Sequence, residues 1–208
     1  MRSGILTFRD PVAGVTSTDP SCTVLSPYKV SCNPEAGPDG IFMSVDLGDG
    51  DDIGTLQDDF GFFSQSMTGG PGTDVLNGSS GNDSFGDNDD LDADTYNGGE
   101  GFDYVAYSSS AAAVNVSLND VADDGRTGEG DNVHADVEGI FGSPSGDVLT
   151  GDDDQNHIVG FNGPDIISGL GGDDQLEGGE GVDTIDGGEG NDLCSLGPSN
   201  DGTTVNCP

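Results

Sequence analysis

Apolar residues recur every nine positions between Gly142 and Ser195, with glycines and acidic residues between them. In this stretch glycine opens each of six unbroken nonapeptides, an Asp or Asn is sixth, and an apolar residue or Cys is eighth. A fixed short period predicts a solenoid, in which one structural unit repeats along an axis. We predict that residues seven to nine of each unit form a short strand whose middle side chain points inward. The eighth-position residues are Leu149, Ile158, Ile167, Leu176, Ile185 and Cys194.

A less regular block with the same pattern lies upstream, from Gly69 to Ala106. It contains four nonapeptides, with a two-residue slip after the second. The segment LGDGDDIG, residues 47–54, places Asp52 sixth but a glycine eighth, so it resembles the beginning of the array. The eighth-position residues of the upstream block are Leu76, Phe85, Tyr96 and Val105.

Between the two blocks the register is lost. Val114, Val116 and Leu118 alternate with polar residues, which predicts a strand with one buried face. Residues 123–132 read as a turn-rich acidic loop, so we expect longer coils here with a protruding loop. Three acidic residues of this region could together hold one further ion, or they could be solvated loop carboxylates, which the pattern favours. They are Asp131, Asp136 and Glu138.

Composition narrows the class of protein. The chain has 40 acidic residues against 4 basic ones and a formal net charge of −36 over 208 residues. Nucleic acid is excluded as a partner because phosphate binding needs a basic surface, and membrane insertion is not expected. With 31% hydrophobic residues and this charge, the composition is typical of disorder. The periodicity indicates instead that the chain is disordered without a ligand and folds when the ligand binds.

The residue types of the repeat predict that ligand. Glycines at positions one, two and four permit a tight loop that turns its carbonyl oxygens towards one point, and the sixth-position Asp adds a carboxylate. Ligation by oxygen alone favours Ca²⁺ over Zn²⁺. Two nonapeptides should form one coil, so loops two motifs apart stack about 4.8 Å from each other, close enough for one ion to bridge them. Because such binding exists only in the folded state, we expect the calcium-free chain to be largely unfolded.

Four motifs carry a specific resemblance. The segments GGPGTDVLN, GGEGFDYVA, GGEGVDTID and GGEGNDLCS resemble the hemolysin-type, or RTX, calcium-binding repeat G-G-x-G-x-D-x-U-x. The resemblance implies an all-β, right-handed parallel β-roll with Ca²⁺ held between loops, in a secreted or cell-surface protein. It implies that the sixth-position residues are the metal ligands: Asp74, Asp83, Asp94, Asp103, Asp147, Asn156, Asp165, Asp174, Asp183 and Asp192.

Two downstream loops lack more than one consensus residue. Asn156 keeps an oxygen but lacks the charge, so its site should be weaker, and loops 142–147 and 151–156 lack the second and fourth glycines. Stacking two motifs apart predicts about four ions downstream and two more upstream, thus about four to six. The predicted pairs of sixth-position residues are 147/165, 165/183, 156/174 and 174/192 downstream, with 74/94 and 83/103 upstream.

The predicted organisation has five parts. A small N-terminal β element covers 1–56, the first repeat block 57–106, an irregular β insert 107–141, the second block 142–195 and a C-terminal cap 196–208. Four cysteines in an acidic chain that we expect to be exported favour disulfides over free thiols. Of the three connectivities we predict the local pairing, Cys22 with Cys32 and Cys194 with Cys207, the second tying the cap to the last coil.

The sequence predicts no enzyme on this chain, because it contains no H-E-x-x-H, G-x-S-x-G or P-loop motif. Three functional hypotheses follow. The favoured one is an extracellular calcium-binding structural module that folds on binding Ca²⁺ and acts as a stiff acidic spacer or stability domain. The alternatives are a subunit of a self-assembling surface layer or filament, and an accessory domain of a larger secreted hydrolase or toxin. Beyond calcium ions, the expected partner is a second copy or a surface component.

Overall fold

The computed structural model describes residues 4–9, 22–26, 29–32, 43–56, 65–87, 91–198 and 201–207. For 4–9, 22–26, 29–32 and 43–44 only the backbone is described. All regular elements in these ranges are β-strands, numbered here β1 to β21 in chain order, and none of the described residues is helical.

One face of the molecule is a single eight-stranded sheet, called here the continuous sheet, in which every neighbouring pair is parallel. Its strands alternate along the chain with strands of the opposite face. The strands of the continuous sheet are β4 (Met43–Asp46), β6 (Gln65–Thr68), β8 (Asp83–Gly86), β10 (Tyr104–Ala106), β14 (Gly139–Phe141), β16 (His157–Asn162), β18 (Gln175–Glu180) and β20 (Leu193–Ser195).

The opposite face is divided into two sheets. The upstream sheet contains β1 (Gly4–Arg9), β2 (Cys22–Ser26), β3 (Lys29–Cys32), β5 (Ile53–Thr55), β7 (Val75–Asn77), β9 (Thr95–Asn97) and β13 (Asn132–Val133). The downstream sheet contains β11 (Val114–Ser117), β12 (Gly125–Arg126), β15 (Val148–Thr150), β17 (Ile166–Ser168), β19 (Val182–Asp186) and β21 (Asp201–Val205). The stacked coils of the three sheets form the β-solenoid that the nine-residue period predicts.

The predicted coil of two nonapeptides is confirmed by the strand register. β15 pairs with β17 and β17 with β19, so residues at the same motif position lie side by side every 18 residues. Upstream, β7 pairs with β9 and β8 with β10 at a spacing of 20 residues, because the two-residue slip lengthens the coil without changing the pairing.

The core is a column of eighth-position side chains between the two faces. As predicted, the middle residue of each three-residue strand points inward, since an inward side chain in a short strand has its neighbours facing out. The side chains that are at most 1% exposed include Leu76, Phe85, Tyr96, Val105, Leu149, Ile158, Ile167, Leu176 and Ile185. Cys194, in the last coil, is only partly buried against this core.

The parallel roll begins at β4, within the stretch predicted as the N-terminal element. β4 and β5 pair in parallel with β6 and β7. Ahead of them, β1 pairs antiparallel with β5 and β3, and β2 with β3, which brings the backbones of Cys22 and Cys32 opposite each other. The predicted Cys22–Cys32 disulfide lies outside the residues whose side chains are described.

The insert divides the second face of the roll. β13 extends the upstream sheet beyond β9, whereas β11 belongs to the downstream sheet, where it lies between β12 and β15. Val114, Val116 and Leu118 are buried, as their alternation predicts. The buried carboxylate of Asp124 joins the two sheets, since it accepts the Ser117 amide at 2.7 Å and the Val133 amide at 2.9 Å. Across the roll, β10 pairs directly with β14, so the continuous sheet passes the insert without a break.

The C-terminal segment adds one more strand. β21 pairs in parallel with β19, and all five of its residues are exposed. The predicted disulfide between Cys194 and Cys207 is confirmed and links β20, in the continuous sheet, to the residues that follow β21. The last coil is therefore covalently closed.

Candidate metal sites

The sixth-position residues lie at or just before the beginnings of their strands, and their side chains are buried. A carboxylate so placed must find hydrogen-bond donors or a cation, because an isolated buried charge is unfavourable. All ten predicted ligands are at most 6% exposed: Asp74, Asp83, Asp94, Asp103, Asp147, Asn156, Asp165, Asp174, Asp183 and Asp192.

Hydrogen bonds tie these residues into ladders along the axis. The Asp147 amide donates to Oδ1 of Asp165 at 2.8 Å, and the Asp165 amide donates to Oδ1 of Asp183 at 3.0 Å. Each side chain is thereby fixed to the coil that precedes it. The same bond joins Asp52 to Asp74 (2.7 Å), Asp74 to Asp94 (2.8 Å), Asp83 to Asp103 (2.7 Å), Asn156 to Asp174 (2.8 Å) and Asp174 to Asp192 (3.0 Å).

The insert contributes two members that the sequence reading did not include. Oδ1 of Asp131 accepts the Asp94 amide at 2.9 Å, and Oε2 of Glu138 accepts the Asp103 amide at 2.8 Å. Asp131 is 1% exposed, so it is not the solvated loop carboxylate that the pattern favoured. The signal for Glu138 was the apolar residue two positions later, Ile140, which is fully buried in the core. The motif glycines are missing there, which concealed the repeat.

Asp136 has a different role. Its carboxylate accepts the amides of Gly98 and Gly99 at 3.0 and 3.1 Å, in the loop of the preceding coil. Thus Asp131, Asp136 and Glu138 do not form one further ion site. Asp131 bonds to Asp94, whereas Asp136 and Glu138 bond to opposite ends of loop 98–103.

The second carboxylate oxygen of several ladder residues lacks any hydrogen-bond partner although it is buried. These oxygens are Oδ2 of Asp103, Asp165, Asp174, Asp183 and Asp192. A buried oxygen without a hydrogen-bond partner is rare in proteins and needs an explanation, such as a bound ion. Oxygen-only coordination fits a hard cation such as Ca²⁺.

Burial raises the pKa of three of these carboxyl groups, those of Asp103, Asp165 and Asp174. The pKa of Asp165 rises to about 7, because burial outweighs the hydrogen bond from the Asp147 amide and the nearby Asp147 and Asp183 carboxylates add to the shift. Burial also raises the pKa of Asp103 to about 7 and that of Asp174 to about 6. The ionised columns are therefore unfavourable in the protein alone, and a cation would remove that cost.

The loops that precede these carboxylates have an unusual backbone. Positions two and four lie in the left-handed region, which glycine adopts without strain: φ is 108° at Gly179 and 155° at Gly181. In two loops position two is bulky, yet Phe161 and Leu170 both keep φ at 73°. A non-glycine residue in this region is unfavourable by about 1–2 kcal/mol, so the stacked loops impose the conformation.

A comparison with protein-family models agrees with this geometry. The model described as RTX calcium-binding nonapeptide repeat (4 copies) matches residues 66–85, 141–176 and 159–194. The chain carries RTX calcium-binding nonapeptide repeats. RTX repeats bind Ca²⁺, and the RTX β-roll is a structural calcium-binding fold rather than a catalytic one. No curated protein matches the chain.

The matched segments leave out the insert, where the RTX ladder nonetheless continues through Asp131 and Glu138. Asp131 also belongs to a buried acidic cluster with Asp87 and Glu129. In this cluster Arg126 donates to Glu129 at 2.9 Å and the Tyr107 hydroxyl donates to Asp131 at 2.9 Å. The cluster therefore differs from the RTX loops, because protein donors serve its carboxylates.

The two histidines of the chain lie outside the RTX ladders. His134 forms an ion pair with Asp120 at 3.0 Å if protonated, and His157 contacts the rings of Tyr104 and Phe141 on the outer face of the roll. Among the described residues, no helix is long and apolar enough to span a bilayer.

Proposed function

We propose that this chain is an extracellular calcium-binding structural module, which folds when Ca²⁺ binds between stacked loops and then acts as a stiff acidic spacer or stability domain. The observation that carries the proposal is the set of buried carboxylate oxygens without a hydrogen-bond partner in the ladders of Asp165 and Asp174. These oxygens lie in a chain of net charge −36. Bound cations would therefore be coordinated by the oxygens and would also offset the repulsion between the carboxylates.

The ligands in this proposal are the sixth-position residues, with carbonyl oxygens of the left-handed loops as further donors. Bound Ca²⁺ supplies the positive charge that the columns lack, and because the site exists only in the folded chain, binding stabilises the fold. The calcium-free chain should be largely unfolded.

Two observations support an extracellular location. RTX repeats are typical of secreted bacterial proteins, and the Cys194–Cys207 disulfide requires an oxidising compartment. Calcium is also abundant outside cells, where weak sites suffice. We therefore place the protein outside the cell or at its surface.

Circular dichroism during a calcium titration tests folding on binding. We expect a cooperative gain of β signal with Ca²⁺, its loss on adding a chelator, and a poor response to Mg²⁺, which demands a small octahedral site and dehydrates reluctantly. A folded spectrum in excess chelator, or equal folding by both ions, would contradict the proposal.

A second candidate function is end-to-end assembly. β21 ends the downstream sheet as an edge strand with all five residues exposed, and an exposed edge is a template for pairing with another chain. Light scattering with and without Ca²⁺ separates the two functions. A spacer stays at monomer mass, whereas a filament subunit grows with concentration once it is folded.

A further inference from the structure

The second residue of each RTX loop divides the loops into two kinds. In the open kind, position two has a positive φ, and in five such loops the sixth-position Asp keeps a buried oxygen without a hydrogen-bond partner. In the closed kind, position two bonds directly to the sixth residue of its own loop. We propose that this residue decides which loops build a calcium site, a proposal that rests on the proposed calcium binding.

Serine closes two loops. The amide and hydroxyl of Ser79 donate to Oδ2 of Asp83 at 2.7 and 3.0 Å. The amide of Ser143 donates to Oδ2 of Asp147 at 2.6 Å, while its hydroxyl donates to Oδ1 at 2.7 Å. Both oxygens of Asp147 thus accept hydrogen bonds within the loop. A cation could bind there only by displacing these donors.

Loop 151–156 is closed by an aspartate. The Asp152 amide donates to Oδ1 of Asn156 at 2.8 Å, and the Asn156 side-chain amide donates back to Asp152 at 3.2 Å. The only carbonyl oxygen that the Asn156 side chain offers is therefore already engaged. This loop lacks the charge and the unoccupied oxygen together.

Open loops show the opposite arrangement. Position two has a positive φ at Phe161, Leu170, Gly179 and Gly188. The corresponding carboxylates keep Oδ2 buried and without a partner, and each is at most 6% exposed: Asp165, Asp174, Asp183 and Asp192.

A site between stacked loops should be complete only where both loops are open. Downstream, loop 160–165 stacks on 178–183 and loop 169–174 on 187–192. Upstream, loop 47–52 stacks on 69–74, and all four of their second and fourth positions are glycines with positive φ. The described loops thus offer three complete sites. The pairs 83/103, 147/165 and 156/174 each contain one closed loop.

The test is a single substitution that opens a loop. Ser79→Gly makes loop 78–83 read GGSGND, next to the open loop 98–103, whose Asp103 already has a buried oxygen without a partner. Ser80→Gly is the matched control, because Ser80 is the exposed third residue of the same loop. We expect Ser79→Gly to bind one more ion per chain than the parent and Ser80→Gly to equal the parent, by equilibrium dialysis with metal analysis.

A second pair of variants tests the reverse change. Leu170 is 47% exposed, so Leu170→Ser can close loop 169–174 without removing a core side chain. Leu170→Gly is the control, since glycine adopts the left-handed region without strain and keeps the loop open. We expect one ion fewer with Ser and an unchanged count with Gly, each variant being checked for folding by circular dichroism in calcium.

The outcomes separate this proposal from the proposed function. A parent that binds calcium, with equal ion counts in Ser79→Gly and Leu170→Ser, overturns the role of position two alone. A parent that binds no calcium overturns both. If Ser79→Gly does not fold, Ser143→Gly replaces it, with the same expected gain of one ion and the same refuting result.

Discussion

The Cys194–Cys207 disulfide should hold the last strand on the roll. β21 pairs with β19 through its backbone, but all five of its residues are exposed, so little side-chain burial retains it. We expect the variant Cys194→Ala/Cys207→Ala to release residues 201–205 while the rest of the roll stays folded. Each coil of a solenoid contacts only its neighbours, so the effect should remain local.

The size of this effect follows from the 13-residue separation of the two cysteines. In the chain-entropy model, a cross-link closing a loop of about that length contributes about 3 kcal/mol. Because about 1.4 kcal/mol corresponds to a factor of ten, the opening constant of β21 should rise roughly 100-fold. Cys194 is only partly buried, so its truncation to Ala should add little to this figure.

Hydrogen exchange read by mass spectrometry, in saturating Ca²⁺, measures that opening. Amides of 201–205 should exchange about 100-fold faster in the double variant, in line with the estimated loss of stabilisation. Parent protein treated with reductant should reproduce the change, and the peptide 104–118 should be unaffected in both. Unchanged exchange at β21 would refute the argument, because it would mean that backbone pairing alone retains the strand.

Three further outcomes are expected. Ile158→Ala removes a fully buried eighth-position side chain and should lower the free energy of unfolding in Ca²⁺ by about 2–5 kcal/mol in a urea titration. Gly190→Ala places a Cβ 1.7 Å from the Gly172 carbonyl oxygen at φ 150°, so it should lower the melting temperature in Ca²⁺ and speed hydrogen exchange in 187–192. Asp124→Asn replaces one of two acceptor oxygens with a donor and should cost about 1–3 kcal/mol, with exchange rising at Ser117 or Val133. Equal stability of any variant and the parent would contradict its prediction.

The repeat period was enough to predict most of the fold. Glycine at position one and an apolar residue at position eight specify a loop and an inward side chain, so the strands around Leu149 and Ile167 and their 18-residue spacing could be read directly. The pairing of motifs across the upstream two-residue slip could also be predicted, because extra residues in a loop lengthen the coil without changing the faces on which the side chains lie.

The insert could not be predicted in the same way. Asp131 and Glu138 join the ladders without the motif glycines, and their places depend on where the chain returns to the roll. Division of the second face into two sheets likewise follows from long-range pairing of β11 and β13, which no local pattern encodes.

The predicted ligands are all buried, but the sequence set apart only Asn156 and the loops 142–147 and 151–156. What distinguishes them is the residue four positions earlier. Ser143 bonds to Asp147, whereas Gly179 leaves Asp183 with an unoccupied oxygen. This difference depends on backbone conformation as well as residue type, since Phe161 and Leu170 adopt the same left-handed φ that the consensus reserves for glycine.

The amide-to-carboxylate hydrogen bonds make the two ends of the roll different. Each sixth-position amide uses an oxygen supplied by the coil that follows it, as the Asp147 amide uses Asp165. A truncation just before Asp165 would therefore remove the acceptor of the Asp147 amide. A truncation just after Asp147 removes only a donor, and the amides of the remaining coils keep their acceptors. The newest coil of an emerging chain thus stays incomplete until its successor arrives.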